Sequence, residues 1–218
     1  MLASAVGIAI SPLPLIAVIL MLATPKGRGN GIAFAAGWVI SLAALVTVIV
    51  LAGSGGAASG DDGPASWTLW LKLGLGVLFL IMGVKQWKDR PREGHAGEPP
   101  GWMKAIDRFT PGKSAGLAAA LAVANPKNLV LAVGGAVSIA ASTASADGKA
   151  VAAVLMVLIA LLCTLLPLGV HLLGGPKSAK VLGEWKAWMA AHNAAIMTTV
   201  LIVLAAKYIG DAVSGLSG

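Results

Sequence analysis

The sequence predicts an all-α integral membrane protein. Six transmembrane helices are expected to form two inverted three-helix repeats, with broken helices in spans 1 and 4 and short interfacial helices on the cytoplasmic side. Three observations carry this reading. Hydrophobic residues make up 57% of the 218-residue chain and charged residues only 11%. A soluble domain carries roughly 25% charged residues, so this chain cannot cover a water-facing surface. The apolar residues fall in six blocks, and proline-containing polar motifs interrupt the first and fourth at matched depth.

The six blocks lie near residues 2–23, 31–52, 69–87, 115–141, 151–173 and 194–213. A bilayer core about 30 Å thick needs roughly 20 apolar residues to be crossed as a helix. Helix is the expected conformation because lipid offers the backbone no hydrogen-bond partner. Residues 1–88 then form the first three-helix repeat, 89–114 a basic cytoplasmic linker, and 115–218 the second, inverted repeat. The chain begins with no basic n-region, and its first apolar run is long enough to span, so no removable signal peptide is expected.

Loop charges orient the helices. The first loop carries Lys26 and Arg28, the second only Asp61 and Asp62, and the fourth Asp147 and Lys149. The third carries Lys85, Lys88, Arg90, Arg92, Lys104, Arg108 and Lys113, and the fifth Lys177, Lys180 and Lys186. Odd-numbered loops thus hold twelve of the 16 bases. The positive-inside rule makes them cytoplasmic, in the inner membrane, with both termini outside. This asymmetry also accounts for the net charge of +7, so no nucleic-acid partner is expected. Trp67, Trp70, Trp87, Trp102, Trp185 and Trp188 flank apolar blocks, where indole prefers the headgroup layer, and Trp38 alone lies within one.

Two stretches have the periodicity of helices lying on the inner surface. Val181, Leu182, Trp185, Trp188 and Met189 share one helical face, as do Trp102, Met103, Ile106 and Phe109. They are expected to act as anchors. Between the third span and the second of these stretches, the Pro/Gly-rich DRPREGHAGEPPG reads as a polar cytoplasmic linker.

The repeat rests on IAISPLPLIAV and AVANPKNLVLA, which align Ser11-Pro12 with Asn125-Pro126 and Pro14 with Asn128. LIMGVKQW likewise aligns with VLAAKYI, setting Lys85 over Lys207. Ser11 and Asn125 each lie about ten residues into a block, hence roughly 15 Å deep at 1.5 Å per residue. Proline there removes a backbone donor and frees carbonyls, which persist in lipid only against protein or a wet cavity. Broken helices at the midplane of paired repeats are where secondary transporters build their sites. Ser11, Pro12, Pro14, Asn125, Pro126, Lys127 and Asn128 are therefore the candidate substrate-binding residues. A simple kink is the alternative for either motif taken alone.

Lys127 is the deepest base. An ammonium near mid-membrane costs roughly 2.5 kcal/mol or more, and no Asp or Glu is expected within any of the six spans to pair with it. An anionic substrate group would supply the missing charge, with help from half-helix N-termini. Lys72, Lys85 and Lys207 lie near span ends and can snorkel. His171, after Pro167 in the fifth span, is a candidate proton relay, although a lone histidine near a span end is more often structural. One cysteine, Cys163, excludes a disulfide framework. Three scattered histidines offer no metal cluster, no catalytic set sits at matched depth, and no ATP-binding P-loop is present. No cofactor and no enzymatic activity are expected.

With SPLP in the first span, ANPKNL in the fourth, a basic loop between them and Pro167 in the fifth, most of the chain resembles the Sap/GAP proteins. These are the sulfolipid-1- and glycopeptidolipid-addressing proteins of mycobacteria and other actinobacteria, within the lysine-exporter (LysE) superfamily. The resemblance implies a six-helix inverted repeat, export activity, and help in moving cell-envelope glycolipids outward. It maps the family motif onto Ser11, Pro12, Pro14, Asn125, Pro126, Lys127 and Asn128. The expected partners are membrane lipids, an amphiphilic lipid or small polar substrate, and lipid-synthesis or lipid-export proteins, with a homo-oligomer as a further possibility. Two other readings stay open: an amino-acid or small-ion exporter on the same scaffold, and a non-transporting membrane scaffold.

Overall fold

The computed structural model describes residues 1–55, 66–90 and 105–217, and among them every regular element is helical. The helices are α1 (Leu2–Ala9), α2 (Pro12–Leu22), α3 (Gly27–Gly55), α4 (Ser66–Lys88), α5 (Pro111–Ala119), α6 (Pro126–Ala140), α7 (Ala146–Leu173) and α8 (Ser178–Leu216). A π turn over Ala120–Ala124 joins α5 to α6. Asp61, Asp62, Arg92, His95, Trp102, Met103 and Lys104, with most of the proposed linker, lie outside the described residues.

Five spans are long and apolar enough to cross a membrane: Leu2–Leu22, Gly27–Ser54, Leu69–Lys88, Ala146–Leu173 and Gly175–Leu216. A further apolar pair, Pro111–Ala124 and Pro126–Ala140, is bent by 65° at its break and makes a sixth if the two arms count as one span. The chain is a multi-pass membrane protein. Its outer surface fits that conclusion, because Ile40, Val48, Leu51, Leu158, Leu166 and Val203 all face outward from the bundle. Long apolar side chains in such numbers need lipid rather than water around them.

Within the bundle, α4 packs along α8, α3 along α5, and the first span against α6 and α7. Small residues permit these approaches. A Cβ on Gly37 would stand 2.6 Å from the Ala115 carbonyl oxygen, so α3 and α5 touch backbone to backbone. Gly76 allows the same on α8, where a Cβ would come within 3.0 Å of the Ile209 backbone nitrogen. Trp38, Phe34, Phe79 and Tyr208 fill the wider gaps and are fully buried. Trp38 satisfies its indole by donating to the Ala160 carbonyl at 3.4 Å, which explains how this one tryptophan sits inside the bundle.

Two expectations need revision. The stretch beginning at Ser178 is no separate surface helix but the first turns of the 39-residue α8. Its apolar face is real, yet Leu182, Trp185 and Met189 spend it on the protein core rather than on lipid. Trp188 alone remains exposed and stacks on His192 at 4.7 Å. On the other stretch, Ile106–Arg108 forms one 3-10 turn and Ile106 is buried in the core. The second revision concerns acids. Asp211 falls inside the sixth apolar block, two residues from its end, and pairs with Lys207 one turn earlier. It is a partner for Lys207 and is not one for Lys127.

Candidate functional site

The first span stops and restarts at Ser11. Helix α1 ends at Ala9, the Ser11 amide donates to the Ile8 carbonyl at 3.0 Å, and α2 begins at Pro12. Ser11 has extended backbone angles, φ −69° and ψ 116°, and occupies the N-cap position. An N-cap hydroxyl normally accepts from the second or third amide of its helix. Here the third residue is Pro14, which has no N–H, and the first is Pro12, for which proline is well suited. The Ser11 side chain makes no cap bond. Its Oγ is buried without a hydrogen-bond partner among the described residues. Pro12 and Pro14 are buried beside it.

The fourth span repeats this geometry at Asn125, with φ −75° and ψ 113°, again followed by proline at the first helical position. At the third position Asn128 stands in place of Pro14, and at the second Lys127 stands in place of Leu13. Asn125 completes its cap, with Oδ1 accepting from the Lys127 amide at 3.2 Å. Its own amide donates to Ala120 at 3.1 Å, the i to i−5 bond that closes the π turn. Asn128 is fully buried, and its Nδ2 donates to the Leu121 carbonyl at 2.9 Å across the bend. Its Oδ1 has no partner among the described residues. Pro126 is exposed.

Lys127 projects from the first turn of α6 to α8, where its Nζ lies against the sulfur of the buried Met197. A thioether is a weak acceptor, so this contact does little to replace water or a carboxylate around an ammonium. Beside Met197, Thr198 is buried, and its Oγ1 lacks a partner among the described residues. Nothing in the sequence pattern marked Met197 or Thr198, because both are ordinary members of an apolar helix until α8 is packed. The Leu121 acceptor was equally invisible, since a carbonyl is available at every residue.

The structure therefore gathers Asn125, Lys127 and Asn128 about one helix break, and Ser11, Pro12 and Pro14 about the other. The spans that carry them are in contact. A Cβ at Gly7 on α1 would meet the side chains of Leu131 on α6 and Val200 on α8, and α2 packs on α8. No hydrogen bond among the described residues joins the two breaks directly. His171 sits in the last turn of α7, partly buried, and no hydrogen bond among the described residues links it to either break. Among the described residues no three His, Cys, Asp or Glu side chains cluster to hold a metal.

Each break presents a helix N-terminus inside a span. Its partial positive charge stands beside the buried Ser11 hydroxyl at one break and beside the Lys127 ammonium at the other. No curated protein and no solved structure matches the chain. A family model does, over residues 1–214, and it describes Sap, the sulfolipid-1-addressing protein. The chain belongs to that family.

Proposed function

We propose that this protein is an exporter of the LysE superfamily, one that moves a cell-envelope glycolipid or its polar-headed precursor outward across the inner membrane. The family's association with sulfolipid supports a lipid cargo. The observation that carries the reading is the set of polar groups left without partners in mid-span. Among the described residues the Lys127 ammonium has a thioether as its hydrogen-bond contact, and the Ser11 and Asn128 oxygens are buried without a bond. Groups of this kind are costly in a bilayer and persist where a ligand completes them. An anionic head would receive the charge of Lys127 and the hydrogen bond of Ser11.

The inverted repeat belongs to the same proposal. Near-identical backbone angles at Ser11 and Asn125 support it. So does the packing, because exchanging spans 1, 2 and 3 with 4, 5 and 6 maps the contacts of spans 2 and 4 onto those of 5 and 1. It also maps the extensive contact between spans 3 and 6 onto itself. Both termini would then face outward, with residues 1–88 and 115–218 as the two halves.

The deciding experiment compares lipid in inner and outer fractions of cells lacking the protein, after complementation with wild type or Lys127→Met. The reading expects outward lipid to fall to the level of the deletion strain while the variant protein is folded and present in normal amount. Wild-type export by Lys127→Met would overturn it.

A further inference from the structure

Between α3 and α7, at the end of the bundle that carries the chain termini, lies a cavity of about 390 Å³. Val50, Leu51 and Val154 supply apolar walls, and Thr47, Ser54 and Lys149 supply polar groups. A second hollow of about 160 Å³ shares Thr47 and Val154 with it and continues down the same seam to Val157 and Leu158. Together they make a furrow with one polar, cationic end and one apolar end. We propose that this furrow binds a single anionic lipid, with its headgroup at Lys149 and an acyl chain along the α3–α7 seam.

The groups lining the furrow favour such an occupant. Lys149 is the lone base of the even-numbered loops. Its Nζ donates to the Ala140 carbonyl at 2.8 Å, which anchors the side chain and leaves two of its three protons for other acceptors. The Ser54 Oγ is buried at the cavity wall with no partner among the described residues. No Asp or Glu among the described residues lines either hollow. The first turn of α7, at Ala146 and Lys149, brings its N-terminal partial charge to the same end, and the Asp147 of that turn is not among the lining residues.

The surroundings favour a lipid over a soluble anion. Leu51, Val154 and Leu158, beside the furrow, are 68%, 57% and 52% exposed, so the seam opens sideways onto acyl chains. On the opposite flank of α3, a hollow of about 330 Å³ is lined by Val48, Ile49, Leu71 and Val133 and has no charged group. Volume alone does not distinguish the two. Of these two hollows, the α3–α7 furrow is the one with a cationic end, and the hollow beside Lys85 and Lys88 sets Asp89 among its lysines.

This inference deepens the export reading by giving the transported or flanking lipid a place on the terminal side, and it is tested separately from that reading. A bimane label on Val154→Cys in a Cys163→Ala background, in phosphatidylcholine vesicles, reports quenching by brominated phosphatidylglycerol or brominated phosphatidylcholine. The expected result is an anionic preference of about fivefold at Val154, the ratio equivalent to about 1 kcal/mol for one lysine near an anionic surface. The same label on Ile40→Cys, which faces lipid away from the furrow, should show no preference. Lys149→Met should abolish the preference. Ala153→Phe, which fills the seam and keeps Lys149, should lower quenching by both lipids. Equal quenching by the two lipids at Val154, or the same anionic preference at Ile40, would overturn the proposal. So would displacement by excess inorganic phosphate, which would mark a free-anion site. An unquenched probe would mean that a second copy covers the seam, with the same consequence. Failure here leaves Lys127-dependent export standing, and failure of that export leaves the quenching result standing.

Discussion

Asn128 donates through Nδ2 to the carbonyl of Leu121, seven residues back, at 2.9 Å, and so ties together the two arms of a helix bent by 65°. A bend of that size opens backbone groups that lipid cannot satisfy. This one bond returns a partner to a freed carbonyl and fixes the direction in which Lys127 leaves α6. The neighbouring cap, Asn125 to the Lys127 amide, sets the same turn from the other side. Of the motif's polar residues, Asn125 and Asn128 shape the break, while Lys127 turns its ammonium to the thioether of Met197.

Asn128→Ala removes a buried hydrogen bond and strands the Leu121 carbonyl. Thermal unfolding of the purified protein should show a loss of about 1–3 kcal/mol. Asn125→Ala removes only a helix cap and should cost about 1 kcal/mol. Equal and negligible losses in both variants would show that the bend holds without them.

Lys127→Met should unfold no more easily than wild type, and it should reach a higher midpoint if relief of the buried charge dominates. Lys127→Arg should retain part of the export, because charge persists while the planar guanidinium differs in shape from an ammonium. The measurement is outward lipid per unit of folded protein. Export by Lys127→Arg at or below that of Lys127→Met would separate the function from charge.

Pro14→Ala restores an amide at the third position of α2 and so offers the Ser11 hydroxyl a cap partner, where Asn125 uses the second-position amide of Lys127. Capping is worth about 1 kcal/mol, and losing a proline costs about 0.4–1 kcal/mol through the unfolded chain. Stability should therefore change little, while export falls because Ser11 is engaged. Unchanged export would remove Ser11 from the site.

Trp185 packs on the core and Trp188 faces outward, so the two should respond differently. Trp185→Ala should reduce membrane yield, and Trp188→Ala should leave it near wild type. Equal loss of yield would restore a purely interfacial role for both.

Cysteine labelling at Gly97, in a Cys163→Ala background, tests the orientation. With odd loops inside, an impermeant maleimide should react only after the membrane is opened. Reaction in intact cells would invert the topology.

Hydropathy along the chain was enough to read a membrane-spanning protein and where most spans run, and Ser11-Pro12 and Asn125-Pro126 marked where a helix would be interrupted. Those properties are local: hydropathy sums over about 20 residues, and proline acts on the turn that contains it. The periodicity of the sequence also identified the apolar face at Leu182, Trp185 and Met189, but not what covers that face. Tertiary packing decided that it meets the core, because a helical face has the same pattern whether lipid or protein lies against it. Packing also decided that Asp211 answers Lys207, that Met197 is what Lys127 touches, and that Asn128 reaches Leu121. Each of these depends on which helix lies beside which, and that is set by the close approaches at Gly37 and Gly76 rather than by any one segment's composition.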